Sequence, residues 1–188
     1  MNDLFKDVMS YIIIILVVVL FRTFIATPVK VDGPSMDDTL KDRELLLLNK
    51  ISYVNKDIER YDIVVIKNGE DKIIKRVYGL PGEKIEYKDN KLYINDEEVE
   101  DIYASNETDN FTLEDICIAG LKKDKLVTNE EIEEVCNYDV IPDNYYLVLG
   151  DNRKISADSR YYGLIAKDKI VGKTSVRFWP LDKIGIVE

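Results

Sequence analysis

Ser35 and Lys75 stand in two segments that could do nucleophilic chemistry together, although neither is a signal alone. The chain contains no histidine. That excludes a Ser-His-Asp triad, a Cys-His dyad and every histidine metal site. A nucleophilic enzyme built from this sequence needs another base, and lysine is the known substitute. Ser35 stands in Val31-Asp32-Gly33-Pro34-Ser35-Met36-Asp37-Asp38-Thr39-Leu40. Alone, a serine in a Gly-Pro turn is ordinarily a loop or capping residue. Lys75 stands in Ile73-Ile74-Lys75-Arg76-Val77-Tyr78-Gly79-Leu80-Pro81-Gly82. Strand alternation puts it on the face of Ile73 and Val77, opposite Ile74 and Arg76. Apolar neighbours desolvate an ammonium and lower its pKa. A neutral amine can then take the proton of a serine hydroxyl. The plainer alternative is a lysine whose stem covers apolar surface while its head reaches water.

A third segment, Gly150 to Gly163, reads GDNRKISADSRYYG. It is dense in Asp, Asn, Arg, Ser and Gly and follows an apolar run. Such a segment makes a loop fixed by its own hydrogen bonds.

The elements that must position these groups are mostly strands. Val29–Val31, 44–48, 62–67, 72–80, 145–149 and 170–179 are short and rich in Ile, Val and Leu. Residues 84–87 and 91–94 form a hairpin about Asp89-Asn90, where both residue types tolerate positive φ. Few helices and seven or more strands predict a mainly β fold, a partly open barrel or sandwich.

Val8 to Phe21 is almost wholly apolar, Arg22 interrupts, and the apolar character resumes to Ala26. The run approaches the ~20 residues that a bilayer span needs. A cleaved leader fits poorly: the start, MNDLFKD, lacks a basic region, and Phe24 is too bulky at the third position before a cut after Ala26. A buried core helix fits so uniform a run less well. The expected organisation is a tail at 1–7, a transmembrane anchor at 8–26 and a β-rich catalytic domain at 27–188. Lys6 and Arg22 flank the anchor on opposite sides, so charge does not set its orientation.

The net charge of -10 argues against nucleic-acid binding. Between Asp96 and Asp139 stand 15 acidic and 3 basic residues. This stretch, about 96–139, is expected to be an acidic, partly helical insertion. It is read either as a solvated surface or as a docking site for a basic protein. Thr112 with Asp115, and Thr128 with Glu131, each have the pattern that starts a helix, followed by an apolar face. Cys117 and Cys136 lie on those faces, either joined as a disulfide or buried as free thiols.

In this order, behind an anchor, the segments resemble the type I signal peptidases, with the single anchor and small size of Gram-positive members. KRVYGLPGE (Lys75 to Glu83) and GDNRKISADSR (Gly150 to Arg160) carry the resemblance most strongly. The latter, with Gly163, follows the family's G-D-N-R-x-x-S-x-D-S-R-x-x-G pattern at every fixed position. The resemblance implies a membrane-bound serine endopeptidase on the extracytoplasmic face, acting on signal peptides of secreted precursors. It needs no metal or cofactor. It aligns Ser35 with the nucleophile and Lys75 with the general base. It aligns Ser156 with a hydroxyl that orients the lysine, Arg76 with Asp151 as a supporting ion pair, and Asp158 with Arg160 as further polar support. Gly33 stands where some members place a serine as second oxyanion donor. Asp38 replaces the proline of the family's Ser-Met-x-Pro-Thr-Leu. Another reading, motivated by Asp38 and the acidic stretch, is a specialised or non-hydrolytic relative that assists assembly of a secreted or pilin-like protein.

Overall fold

A 23-residue helix, α1 (Asn2–Phe24), leads directly into a series of short antiparallel strands in the computed structural model. The structure describes residues 2–124, 136 and 139–187. Phe5–Phe24 of α1 has a mean hydropathy of 2.2, and none of it is buried within the rest of the chain. A bare helix of that length and composition is suited to hydrocarbon rather than water. The helix stops two residues short of the anchor expected at 8–26. Ala26 instead opens β1 (Ala26–Lys30), which pairs with β2 (Leu45–Asn49) in register from Ala26↔Asn49 to Lys30↔Leu45. Pro28 is tolerated within β1 because that strand lies at the edge of its sheet.

The larger sheet has eight strands. It runs β1, β2, β11 (Ile170–Trp179), β3 (Ile63–Asn68), β4 (Asp71–Gly79), β9 (Tyr145–Leu149) and β10 (Ile165–Ala166), with β12 (Gly185–Ile186) paired to β11. The smaller sheet runs β7 (Glu97–Val99), β6 (Lys91–Ile94), β5 (Ile85–Lys88) and β8 (Phe111–Thr112). The fold is therefore mainly β, with antiparallel pairing throughout these sheets. Asp89 and Asn90 form the β5–β6 turn, both at positive φ (50° and 60°), as a two-residue hairpin loop requires.

Two apolar clusters bracket the Ser35 and Lys75 segments. Met36 and Leu40, either side of the turn after Ser35, are buried with Leu46 and Leu48 of β2 and Ile74 of β4. Val77 of β4 is buried in a second cluster with Val64, Ile66 and Val148. A strand with apolar packing on both faces leaves the side chain of Lys75 only 3 % exposed.

The acidic stretch is less of an insertion than its charge implies. β7 and β8 complete the smaller sheet, and Phe111, Leu113 and Ile116 join the core of β5, β6 and β9. Its first helix, α2 (Leu113–Asp124), has a reciprocal cap. The Thr112 N–H donates to the Asp115 carboxylate at 2.8 Å, and the Asp115 N–H donates to Thr112 Oγ1 at 3.3 Å. The second expected helix, beginning at Thr128, lies outside the described residues. Cys117 and Cys136 are joined as a disulfide with Cα atoms 5.7 Å apart.

Candidate active site

Ser35 sits half-buried in the turn that follows β1, and Lys75 reaches it from the middle of β4. Lys75 Nζ donates to Ser35 Oγ at 2.7 Å. Burial pushes the Lys75 ammonium down from 10.5 to about 8; Asp158 and Asp151 pull it upward, and Arg160 adds to the lowering. Desolvation outweighs the two carboxylates, so a large fraction of the amine is neutral near pH 8. The contact distance suits either proton state. The ammonium donates to Oγ, whereas the neutral amine offers a lone pair to the hydroxyl proton.

The loop after β9 braces this pair. The Asn152 N–H donates to the Ser35 carbonyl at 3.1 Å. Gly150 packs so closely that a Cβ there would lie 2.5 Å from the Ser35 carbonyl oxygen and 2.2 Å from Ser156 Oγ. Only glycine fits. Ser156 Oγ is buried and has no hydrogen-bond partner. The structure thus brings Ser156 against the same glycine as Ser35, without a bond from its hydroxyl to Lys75.

Arg76 and Asp151 are both fully buried and paired in a bidentate manner, through Nε to Oδ1 at 3.0 Å and Nη2 to Oδ2 at 2.8 Å. Asp158 is buried too. It accepts the Gly150 N–H at 3.0 Å and two donors from Arg160, at 2.9 and 2.8 Å. It also caps the short helix α3 (Ser159–Tyr162) by accepting the Arg160 N–H. Gly33 offers no side-chain donor beside Ser35. Its N–H donates to Asp42 Oδ1 at 2.9 Å, which commits that donor elsewhere and leaves no side chain to replace it. Asp38 points into solvent and bonds Lys41 at 3.2 Å.

A family model described as "Signal peptidase, peptidase S26" matches residues 4–179. The chain belongs to the peptidase S26 signal peptidases. Signal peptidase IB of Staphylococcus aureus strain COL is 40 % identical over 187 residues, covering 95 % of this chain and 93 % of that protein. Signal peptidase I of Streptococcus pneumoniae strain R6 is 34 % identical over 205 residues, covering 97 % and 98 %. A crystal structure of a signal peptidase I from Enterococcus faecalis V583 is 32 % identical, covers 63 % of this chain and 97 % of its own, and superposes with a TM-score of 0.46.

Within this signal peptidase, several groups around the dyad had no assigned role in the sequence reading. Thr39 donates to Asp151 Oδ2 at 2.5 Å and accepts from Arg76 at 3.2 Å, and the Tyr103 ring lies 3.6 Å from the Arg76 guanidinium carbon. Arg153 is wholly buried. It donates to the Gly150 carbonyl at 3.1 Å and to Thr108 at 2.8 Å, and pairs with Asp101 at 2.6 Å. Arg153 and Thr39 stand in segments that carry the resemblance, so their positions were a signal. Asp101 had none, because it was one acid among many.

Proposed function

We propose that this signal peptidase removes signal peptides from secreted precursors with Ser35 as nucleophile and Lys75 as general base. The 2.7 Å contact between Lys75 Nζ and Ser35 Oγ, made by a buried amine, is the observation that carries the assignment. Ser35 Oγ attacks the carbonyl that ends the signal peptide while neutral Lys75 takes the hydroxyl proton. The C–N bond then breaks as Lys75 returns that proton to the leaving amine. Lys75 next deprotonates a water that hydrolyses the acyl-enzyme and frees Ser35. The Ser35 backbone N–H is the donor for the tetrahedral oxyanion, since the Gly33 N–H is held by Asp42. Arg76–Asp151 and Asp158–Arg160 fix the strand and loop about the amine, and the buried Ser156 hydroxyl, which makes no bond in this structure, is the group assigned to orient the amine during the reaction.

α1 anchors the enzyme, and the catalytic domain faces the extracytoplasmic side, where secreted precursors present their cleavage sites. A basic partner at the acidic stretch would have to engage side chains other than Asp96, Glu98 and Asp101. Those three are paired with Lys84, Lys91 and Arg153.

The test is cleavage of a secretory precursor by the full-length protein in detergent, beside Ser35→Ala and Lys75→Ala. The parent should release mature protein, and each folded variant should lose at least ~10³-fold in rate. Full activity in either variant contradicts the assignment.

A further inference from the structure

The end of a transmembrane helix is an exacting place for a backbone. Its last carbonyls have no partner within the helix, and near hydrocarbon an unpaired carbonyl is costly. In α1 these groups are met by the catalytic domain, chiefly through Lys50. Lys50 Nζ donates to the carbonyls of Thr23 at 2.9 Å and Arg22 at 3.3 Å. The Lys50 N–H donates to the Ile25 carbonyl at 2.9 Å. Thr27 Oγ1 adds a bond to the Arg22 carbonyl at 2.6 Å. The positive charge of Lys50 also complements the negative end of the helix dipole.

This clasp leaves almost no joint between helix and sheet. Only Ile25 separates α1 from β1. Lys50 follows directly on Asn49, the last residue of β2 and the partner of Ala26. β1 then runs to Lys30, and the Ser35 turn follows, bonded at Val31 to the Glu44 carbonyl. The nucleophile is therefore linked to the membrane span through paired backbone at nearly every step.

We propose that Lys50 is a positioning residue that fixes the height and tilt of the catalytic domain over the membrane. It thereby sets which spacing, between a substrate's apolar segment and its scissile bond, can reach Ser35. This rests on the peptidase reading and on α1 as the anchor. With Lys50 in place, the height of Ser35 is set and precursors of one spacing are cut best. Without the clasp, α1 and β1 can hinge at Ile25, and the enzyme tolerates several spacings at a lower peak rate.

The experiment uses full-length protein in vesicles of phosphatidylcholine and phosphatidylglycerol. Substrates are membrane-inserted precursors whose spacer is lengthened or shortened stepwise, and a short soluble peptide carrying the same cleavage site. The enzymes are the parent, Lys50→Met and Lys50→Arg. For the parent, a spacer wrong by a few residues should cost ~10²-fold, since small misplacements of a reacting group carry losses of that order. Lys50→Met should flatten this dependence at least ~10-fold on the same basis, with soluble-peptide turnover unchanged. Lys50→Arg should restore the parental profile. A Lys50→Met profile as sharp as the parent's, or an equal loss on peptide and precursor, overturns the proposal. If the parent cleaves neither substrate, the peptidase reading itself fails.

Discussion

Lys75 is held where an ammonium is unwelcome. At 3 % exposure its pKa falls from 10.5 to about 8, a shift that corresponds to roughly 3 kcal/mol against the charged form. Between those two values the unfolded chain binds a proton that the folded chain does not. Stability therefore carries the full penalty below pH 8 and regains it as pH rises toward 10.5. Lys75→Met, which keeps the stem and removes the charge, should unfold at higher denaturant than the parent at pH 7. That advantage should shrink as the pH is raised to 10, measured by urea titration at both pH values. This is the pattern expected where a site sacrifices stability for reactivity.

The meeting of Ser35 with Lys75 was legible from the sequence, where chemistry and the family's motifs coincide. The lack of histidine directed attention to lysine, and alternation in a strand put Lys75 among apolar neighbours. The commitment of the Gly33 N–H to Asp42 could not be read, because that bond joins residues nine positions apart across a turn. Nor could the partnership of Arg153 with Asp101, whose separation of 52 positions leaves no local pattern.

At the scale of elements, strands were easier to anticipate than the ends of helices. Short apolar runs between turn residues marked β2, β3, β4, β9 and β11 within a residue or two. The end of α1 was placed too late because residues 24–26 remain apolar, and hydropathy cannot tell a helix end from an edge strand. The acidic stretch misled for the opposite reason. Thr112 and Asp115 marked the start of α2, but the charge around them hid Phe111, which builds β8, and it hid Asp101. That carboxylate accepts from Tyr78 and Tyr87 at 2.8 Å each and pairs with Arg153, which hold it below the usual carboxylate range although burial alone would raise it. Asp101→Ala strands a buried guanidinium and two hydroxyls, and should cost about 3–5 kcal/mol in chemical denaturation. Glu98→Ala, which breaks a solvent-exposed pair, should leave the denaturation midpoint unchanged.

α2 reaches the catalytic loop through a glycine contact. Gly163, at φ 79°, ends α3, and a Cβ there would come within 2.8 Å of the Gly120 Cα in α2. Gly163→Ala adds both a steric overlap and a strained backbone, and should destabilise by about 1–3 kcal/mol. Because α3 begins at the Asp158 cap, the same variant should lower kcat more than it raises KM. An unchanged midpoint and unchanged kinetics would show that this contact is not needed.

At the scale of the whole molecule, a membrane helix, an edge strand and a nucleophilic turn follow one another with a single residue between helix and strand. Only 13 positions separate Arg22 from Ser35. The order of these parts was plain in the sequence, because an apolar run and a Gly-Pro-Ser turn are local features. Their rigid connection was not, since it depends on Lys50 reaching back to carbonyls at 22 and 23. The protein thus combines an apolar helix long enough to span a membrane with a buried amine 2.7 Å from a serine hydroxyl.

The dependence of kcat/KM on pH for precursor cleavage tests the central claim most directly, because it reports the ionisation of the free enzyme's base. With full-length enzyme, and with chemistry shown to be rate-limiting, kcat/KM should rise tenfold per pH unit at low pH and level off above about 8, the value to which burial brings Lys75. A profile that is flat between pH 6 and 9 under those conditions would contradict Lys75 as the base that activates Ser35.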